Sequence, residues 1–250
     1  MRILLVNDDG IHADGIRILA KTLEKDNEVI IVAPEHQRSA QSQAITISKS
    51  IIVKEIEIDG LMSKAYSISG TPADCVRIAL DKLIEKPIDL VISGINMGLN
   101  AGMDILYSGT VSAAIEANIY KLPAMALSAE WIDGKIDYYL AAEHGKHILE
   151  KVKDDFTKNN IILNINTPYV ENKKVEGVKV CKIGDVIYDY YIIENKGDNG
   201  EKTLKLKGRK DVEFEEGTDR YYLSQGYVTI TPLHYDLTNF NLLDKVESWL

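Results

Sequence analysis

Residues 2–33, RILLVNDDGIHADGIRILAKTLEKDNEVIIVA, decide the fold. Arg2 to Val6 is an unbroken apolar run stopped by Asn7-Asp8-Asp9. A strand that is apolar at successive positions is buried on both faces, which is the habit of parallel sheets. From Ala13 to Leu23 the period changes, and Ile16, Leu19, Ala20 and Leu23 fall on one helical face. Glu28 to Ala33 is a second continuous apolar run, closed by Pro34. Strand, helix and strand of this kind predict a right-handed βαβ unit.

The same alternation continues outward. Residues 35–44, EHQRSAQSQA, predict a polar loop, and Ile45 to Ile58 alternates as two strands with a turn near Ser50. Lys64 to Ser69 reads as a short strand. Pro72 to Ile84 reads as a helix, with Thr71 suited to cap it and Pro72 to its first turn. DLVIS at 89–93 is a buried strand leading into a Gly- and Asn-rich loop over 94–109. An Ala-rich helix over 110–120, a strand over 124–127, a helix over about 138–152 and a strand over 161–165 follow. After Pro168, alternating Tyr-rich segments with Gly turns over 175–231 predict antiparallel hairpins, and 240–250 a short amphipathic helix. The expected architecture is a doubly wound, mostly parallel α/β domain over 1–168, with a β-rich extension over 169–250.

Composition narrows the functional classes. The chain has 250 residues, 45% hydrophobic and 27% charged, with a formal net charge of −9. That balance disfavours a protein that coats a nucleic-acid polymer, which needs a basic face. Cys75 and Cys181 are the only cysteines and form no CxxC pair, so a disulfide framework is not expected. The apolar run at the N-terminus is too short for a signal-peptide core. No run of about 18 apolar residues marks a membrane span. A cytoplasmic protein is expected.

In open α/β sheets, ligands gather at the carboxyl ends of the parallel strands. Three such ends carry polar groups: Asn7-Asp8-Asp9-Gly10, a loop with Arg38, Ser39 and Ser42, and Gly94, Asn96, Gly98 and Asn100. Adjacent Asp8 and Asp9 are unfavourable unless a cation or hydrogen bonds compensate them. With Asn96 and a hydroxyl such as Ser39 they form an all-oxygen set, suited to Mg²⁺ or Mn²⁺. The competing reading is a solvated turn before Gly10. Tyr107-Ser108-Gly109-Thr110, directly before a helix, is either an anion site or an ordinary cap. Ser69-Gly70-Thr71-Pro72 repeats that pattern and is read as a capping turn. There is no GxxxxGK[ST], no GxGxxG and no GxSxG. His144 and His147 read as a solvated helical face, and Tyr188, Tyr190 and Tyr191 as sheet and interface packing.

Taken together, the blocks resemble the SurE family. The resemblance rests on NDDG at 7–10, Arg38-Ser39, SGTPADCV at 69–76, SGINMGLNAG at 93–102, YSGTVSAAIEA at 107–117, LNINTP at 163–168 and GYVTITPL at 226–233. The blocks run in family order over nearly the whole chain. Ala40 departs from the pattern, since the family commonly has glycine after Arg-Ser. The resemblance implies a Rossmann-like core and a C-terminal hairpin and tail exchanged between subunits of a dimer or tetramer. It implies hydrolysis of nucleoside 5′-monophosphates, in some members also of 3′-monophosphates or short polyphosphate. It implies one divalent metal on Asp8, Asp9, Ser39 and Asn96, with phosphate on Ser108, Gly109 and Thr110. Asp8, Asp9 and Asn96 are then the catalytic set, one of the two aspartates orienting or deprotonating water.

Three rival functions remain open. A covalent aspartyl nucleophile of the haloacid-dehalogenase kind needs Asp-x-Asp after the first strand, which is absent. A phospho-acceptor switch needs an aspartate where DLVIS leads to Asn96. A nucleotide-binding protein without turnover is distinguished by assay alone.

Overall fold

A computed structural model describes the chain except for Lys173, Tyr188, Asp198, Lys210, Asp211 and the Arg209 side chain. The expected packing of Tyr188 therefore lies outside the described residues. The strands are β1 (Arg2–Val6), β2 (Glu28–Pro34), β3 (Val53–Ile56), β4 (Lys64–Ile68), β5 (Leu90–Met97), β6 (Ala124–Ala129), β7 (Ile162–Thr167), β8 (Gly177–Val180), β9 (Asp189–Lys196), β10 (Lys202–Arg209) and β11 (Tyr227–Leu233). The helices are α1 (Asp14–Leu23), α2 (Pro72–Ile78), α3 (Gly109–Ile119), α4 (Tyr138–Phe156), α5 (Asp219–Ser224) and α6 (Leu243–Glu247).

Nine strands form one sheet in the order β3-β4-β2-β1-β5-β6-β7-β11-β8. The run from β4 to β7 is parallel throughout. Strand order reverses between β1 and β5, which makes that junction the switch point of a doubly wound sheet. The unbroken apolar run of β1 has its reason in this placement. Ile3 and Leu5 pack towards α1 and α4, while Leu4 and Val6 pack towards Val76 of α2 and Val111 of α3. All four are fully buried, each contributing roughly 1.5–3 kcal/mol of hydrophobic free energy.

Local chemistry sets the helix starts. Thr71 and Asp74 form a reciprocal capping box at α2, so Ser69-Gly70-Thr71-Pro72 is the capping turn expected. Ser108 caps α3 by accepting the Val111 N–H at 3.0 Å. The backbone of α1 approaches β5 so closely that a Cβ on Gly15 would lie 2.1 Å from the Ile95 carbonyl oxygen.

Three local expectations are corrected. Within 45–58 only β3 pairs in the sheet. Before it, the Thr46 N–H bonds the Asp74 carboxylate and the Ile52 N–H bonds the Ser69 hydroxyl, so side chains take the place of a ladder. Within 175–231, β9 and β10 form an antiparallel pair, but β8 lies parallel to β11 at the far edge of the main sheet. The expected helix over 240–250 divides into a 3₁₀ turn at Phe240–Leu242 and α6, with no buried residue in either.

Candidate active site

The carboxyl ends of β1 and β5 meet at the switch point, and the acidic pair follows β1 directly. Asn7 shapes the turn. Its amide donates to the Gly10 carbonyl at 2.9 Å and its oxygen accepts the Gly10 N–H at 3.2 Å. Asp8 is buried and accepts the Thr110 hydroxyl at 2.5 Å. Asp9 is half-buried and accepts the Met97 N–H at 2.9 Å and the Gln37 amide at 3.3 Å. The same Gln37 nitrogen donates to Ser39 Oγ at 2.9 Å, so it ties Asp9 to Ser39. Asn96 is placed by the irregularity in β5 between Ser93 and Asn96 and turns its amide nitrogen to the Gly98 carbonyl at 2.8 Å. That leaves the Asn96 oxygen as its available donor atom.

The start of α3 presses against this rim. A Cβ on Gly109 would lie 2.8 Å from Asp8 Cβ and 3.0 Å from its Oδ2, so only glycine permits the approach. Both hydroxyls of the expected anion site already have protein partners. Ser108 caps the helix and Thr110 donates to Asp8. Of the backbone there, the Ser108 N–H bonds the Ile105 carbonyl, the Val111 N–H bonds Ser108 and the Thr110 N–H turns to Asp8, so the Gly109 N–H is what α3 still presents.

Burial pushes the Asp8 carboxyl up to about 6, helped by the Asp9 charge and opposed by the Thr110 hydrogen bond. Asp9 is raised by burial as well, against the Met97 and Gln37 hydrogen bonds. Every hydrogen-bond donor to the pair is neutral, and among the described residues neither carboxylate has an ion-pair partner. Arg38 does not supply the missing charge. Its backbone N–H reaches the Asp8 carbonyl at 2.7 Å, while its guanidinium goes to the Ser69 carbonyl at 3.1 Å. Two partly desolvated carboxylates without a cation are unfavourable, which fits a site for a bound one. Among the described residues no three His, Cys, Asp or Glu side chains converge. A cation here would complete its shell from the neutral oxygens of Ser39 and Asn96, a hard-donor set suited to Mg²⁺ or Mn²⁺.

The loop from 98 to 104 is held by buried amides. Asn166 accepts the Asn100 N–H at 2.8 Å, and Asn164 and Asn166 both donate to the Asn100 carbonyl. The Asn100 amide donates to Ser128 at 2.9 Å. Asn100 is one of the rim groups expected from sequence, whereas Gln37, Asn164 and Asn166 are not, because a lone amide carries no signal until its partner is known. Tyr138 is another. Burial raises its phenol to about 12, with the Asp9 charge adding to the effect. Ala40 has φ of 57°, in the left-handed region that favours glycine. His144 is half-buried and lowered by that burial, and His147 lies exposed on α4, so neither joins the rim.

Fold and rim together define a doubly wound α/β protein with an acidic, oxygen-lined site at its switch point, facing a helix start. The Survival protein SurE family profile matches residues 3–190, and the chain belongs to that family. A Clostridium botulinum protein named 5′-nucleotidase SurE is 54% identical, over 99% of this chain and 98% of its own. A Clostridium tetani protein of the same name is 47% identical over the full length of both. The crystal structure of the Aquifex aeolicus SurE protein superposes with a TM-score of 0.86 at 33% identity, covering 100% of this chain and 99% of that one.

Proposed function

We propose that the protein is a metal-dependent phosphomonoesterase that hydrolyses nucleoside 5′-monophosphates to nucleoside and phosphate. Relatives matching nearly its whole length carry the name 5′-nucleotidase, which supports the reaction class. The observation that carries the site assignment is the uncompensated Asp8–Asp9 pair against the start of α3. In this reading Asp8, Asp9, Ser39 and Asn96 hold one Mg²⁺ or Mn²⁺. When bound, the ion supplies positive charge to a phosphate oxygen and lowers the pKa of water. The turn of Ser108, Gly109 and Thr110 at the start of α3 faces the phosphate and orients it, with the Gly109 N–H as its backbone donor. Asp8 is committed to Thr110 and nearly closed to solvent, so it acts as a fixed ligand. Asp9 is open to the rim and is the carboxylate that touches and orients the attacking water. A phospho-acceptor switch is not favoured, since β5 closes on Asn96-Met97 and offers no acceptor carboxylate.

The test is phosphate release from nucleoside 5′- and 3′-monophosphates and short polyphosphate with Mg²⁺, with Mn²⁺ and with EDTA. The expected result is metal-dependent release that Asp9→Asn lowers by about 10³-fold or more. An Asp9→Asn protein with full metal-dependent activity would overturn the assignment.

Two further parts belong to this reading. Cys75 and Cys181 are free and buried, in support of a reducing, cytoplasmic compartment. Among the described residues no helix is long and apolar enough to cross a membrane. β9 and β10 stand apart from the main sheet with Tyr191, Ile193, Leu204 and Leu206 exposed, and the tail exposes Leu237, Phe240 and Trp249. Such apolar area supports a homodimer or homotetramer that covers it.

A further inference from the structure

The segment between the two halves of the candidate site is held from the far end of the chain. Residues 101–106 lie in the connection from Asn96, near the end of β5, to Ser108 at the start of α3. Their 3₁₀ turn, Gly102–Leu106, runs directly into that helix, with the Tyr107 N–H on the Asp104 carbonyl and the Ser108 N–H on the Ile105 carbonyl. Asp219, fully buried, accepts the Gly102 N–H at 2.7 Å. Arg220 donates from one nitrogen, Nη2, to the Ala101 carbonyl at 2.7 Å and to Asp104 Oδ2 at 2.6 Å. The Arg220 and Asp104 side chains are mostly shielded from water, so this contact is stronger than a surface ion pair. Gly102 is required beneath it. Its φ is 59°, and a Cβ there would lie 2.5 Å from Arg220 Nε.

The same carboxylate closes the base of the hairpin excursion. Asp219 also accepts the Gly184 N–H at 2.9 Å, and its own N–H bonds the Lys182 carbonyl. One buried aspartate therefore joins the two ends of the segment that carries β9 and β10 to the turn that enters α3.

We infer that Asp219 and Arg220 are positioning residues for the proposed hydrolysis, setting the start of α3 against Asp8 and Asn96. Neither touches the acidic pair, so their effect passes through residues 101–108. The inference rests on the phosphatase reading for its kinetic consequence, but the clamp itself is measurable without substrate. Its loss displaces the helix start that orients the phosphate, and the expected cost falls on kcat more than on KM.

The experiment compares wild type with Arg220→Gln, Arg220→Lys and Asp104→Asn in the full chain, with adenosine 5′-monophosphate as substrate and Mn²⁺ as metal. Arg220→Gln is expected to lower kcat by about 10-fold or more with KM within about 2-fold. Arg220→Lys recovers part of the loss, because an ammonium keeps the charge and donors that meet Asp104 and Ala101 but sits on a shorter stem than Arg220 Nη2. Hydrogen exchange should quicken over 101–108 and stay unchanged in β1. Should Arg220→Gln not fold, the near-isosteric Asp104→Asn carries the same expectations. Wild-type kcat together with wild-type exchange over 101–108 in the folded variants would overturn the inference. Absence of turnover in the wild type would instead overturn the phosphatase reading, and the exchange measurement would still decide the clamp.

Discussion

At Asp8, folding and chemistry make opposite demands. The carboxyl is raised from its usual 3.8 to about 6 because burial penalises its charge. The folded state thus binds this proton more tightly than the unfolded chain. The resulting stabilisation is complete below about pH 4 and is lost as pH rises through about 6, a cost of about 3 kcal/mol by neutral pH. In EDTA at pH 7, Asp8→Asn is therefore expected to be more stable than wild type by about 1–3 kcal/mol in urea unfolding. The gap should close at pH 4, and Mn²⁺ should stabilise the wild type alone. A wild type as stable as the variant at pH 7 without metal would mean that Asp8 is already compensated. Gly109 tests the neighbouring contact. Alanine favours a helix by about 1 kcal/mol over glycine, yet here its Cβ would meet Asp8 at 2.8 Å. Gly109→Ala should lower kcat/KM by about 10-fold or more while circular dichroism stays native.

At the scale of elements, α1 on β5 is the packing that holds the rim from behind. Gly15→Ala would drive a methyl into the Ile95 carbonyl, one residue before Asn96. It should cost about 3 kcal/mol in chemical unfolding, at the upper end for overpacking. The elements read well from sequence where burial alone dictates them. β1, β2, β6 and the first half of β5 are apolar runs because the sheet is covered on both faces. α3 was legible as a helix, and its role against Asp8 was not, because Gly109 has no side chain to announce a contact. The stretch 45–52 alternates like a strand but bonds to Asp74 and Ser69, whose proximity no local pattern reveals. The parallel pairing of β8 with β11 was equally hidden, since strands so far apart in sequence carry no turn to specify their direction.

For the whole molecule, the question is what covers the exposed apolar hairpin. Tyr191 faces Leu206 across the β9–β10 ladder and Ile193 faces Leu204, so the four share one face. In the proposed dimer or tetramer, Ile193→Asp with Leu206→Asp is expected to give a smaller species by light scattering than the unchanged chain, and an unchanged chain that is itself monomeric would overturn the proposed assembly. Unfolding of the isolated subunit should follow its usual cooperative course, since these residues leave the nine-stranded sheet untouched. An unchanged assembly would assign the contact to the tail around Phe240 and Trp249 instead.

The chain by itself determined the parallel sheet, the acidic pair at the end of its first strand and the oxygen chemistry of the rim. Those follow from local periodicity and from like charges placed side by side, which any neighbouring residues must answer. Only the tertiary structure decided which residues answer them. Thr110, Gln37 and Met97 reach Asp8 and Asp9 from distant parts of the chain, and Asp219 and Arg220 reach the turn before α3 from beyond the hairpin. A hydrogen bond depends on distance and direction in space, and neither is written in the spacing of residues along the chain.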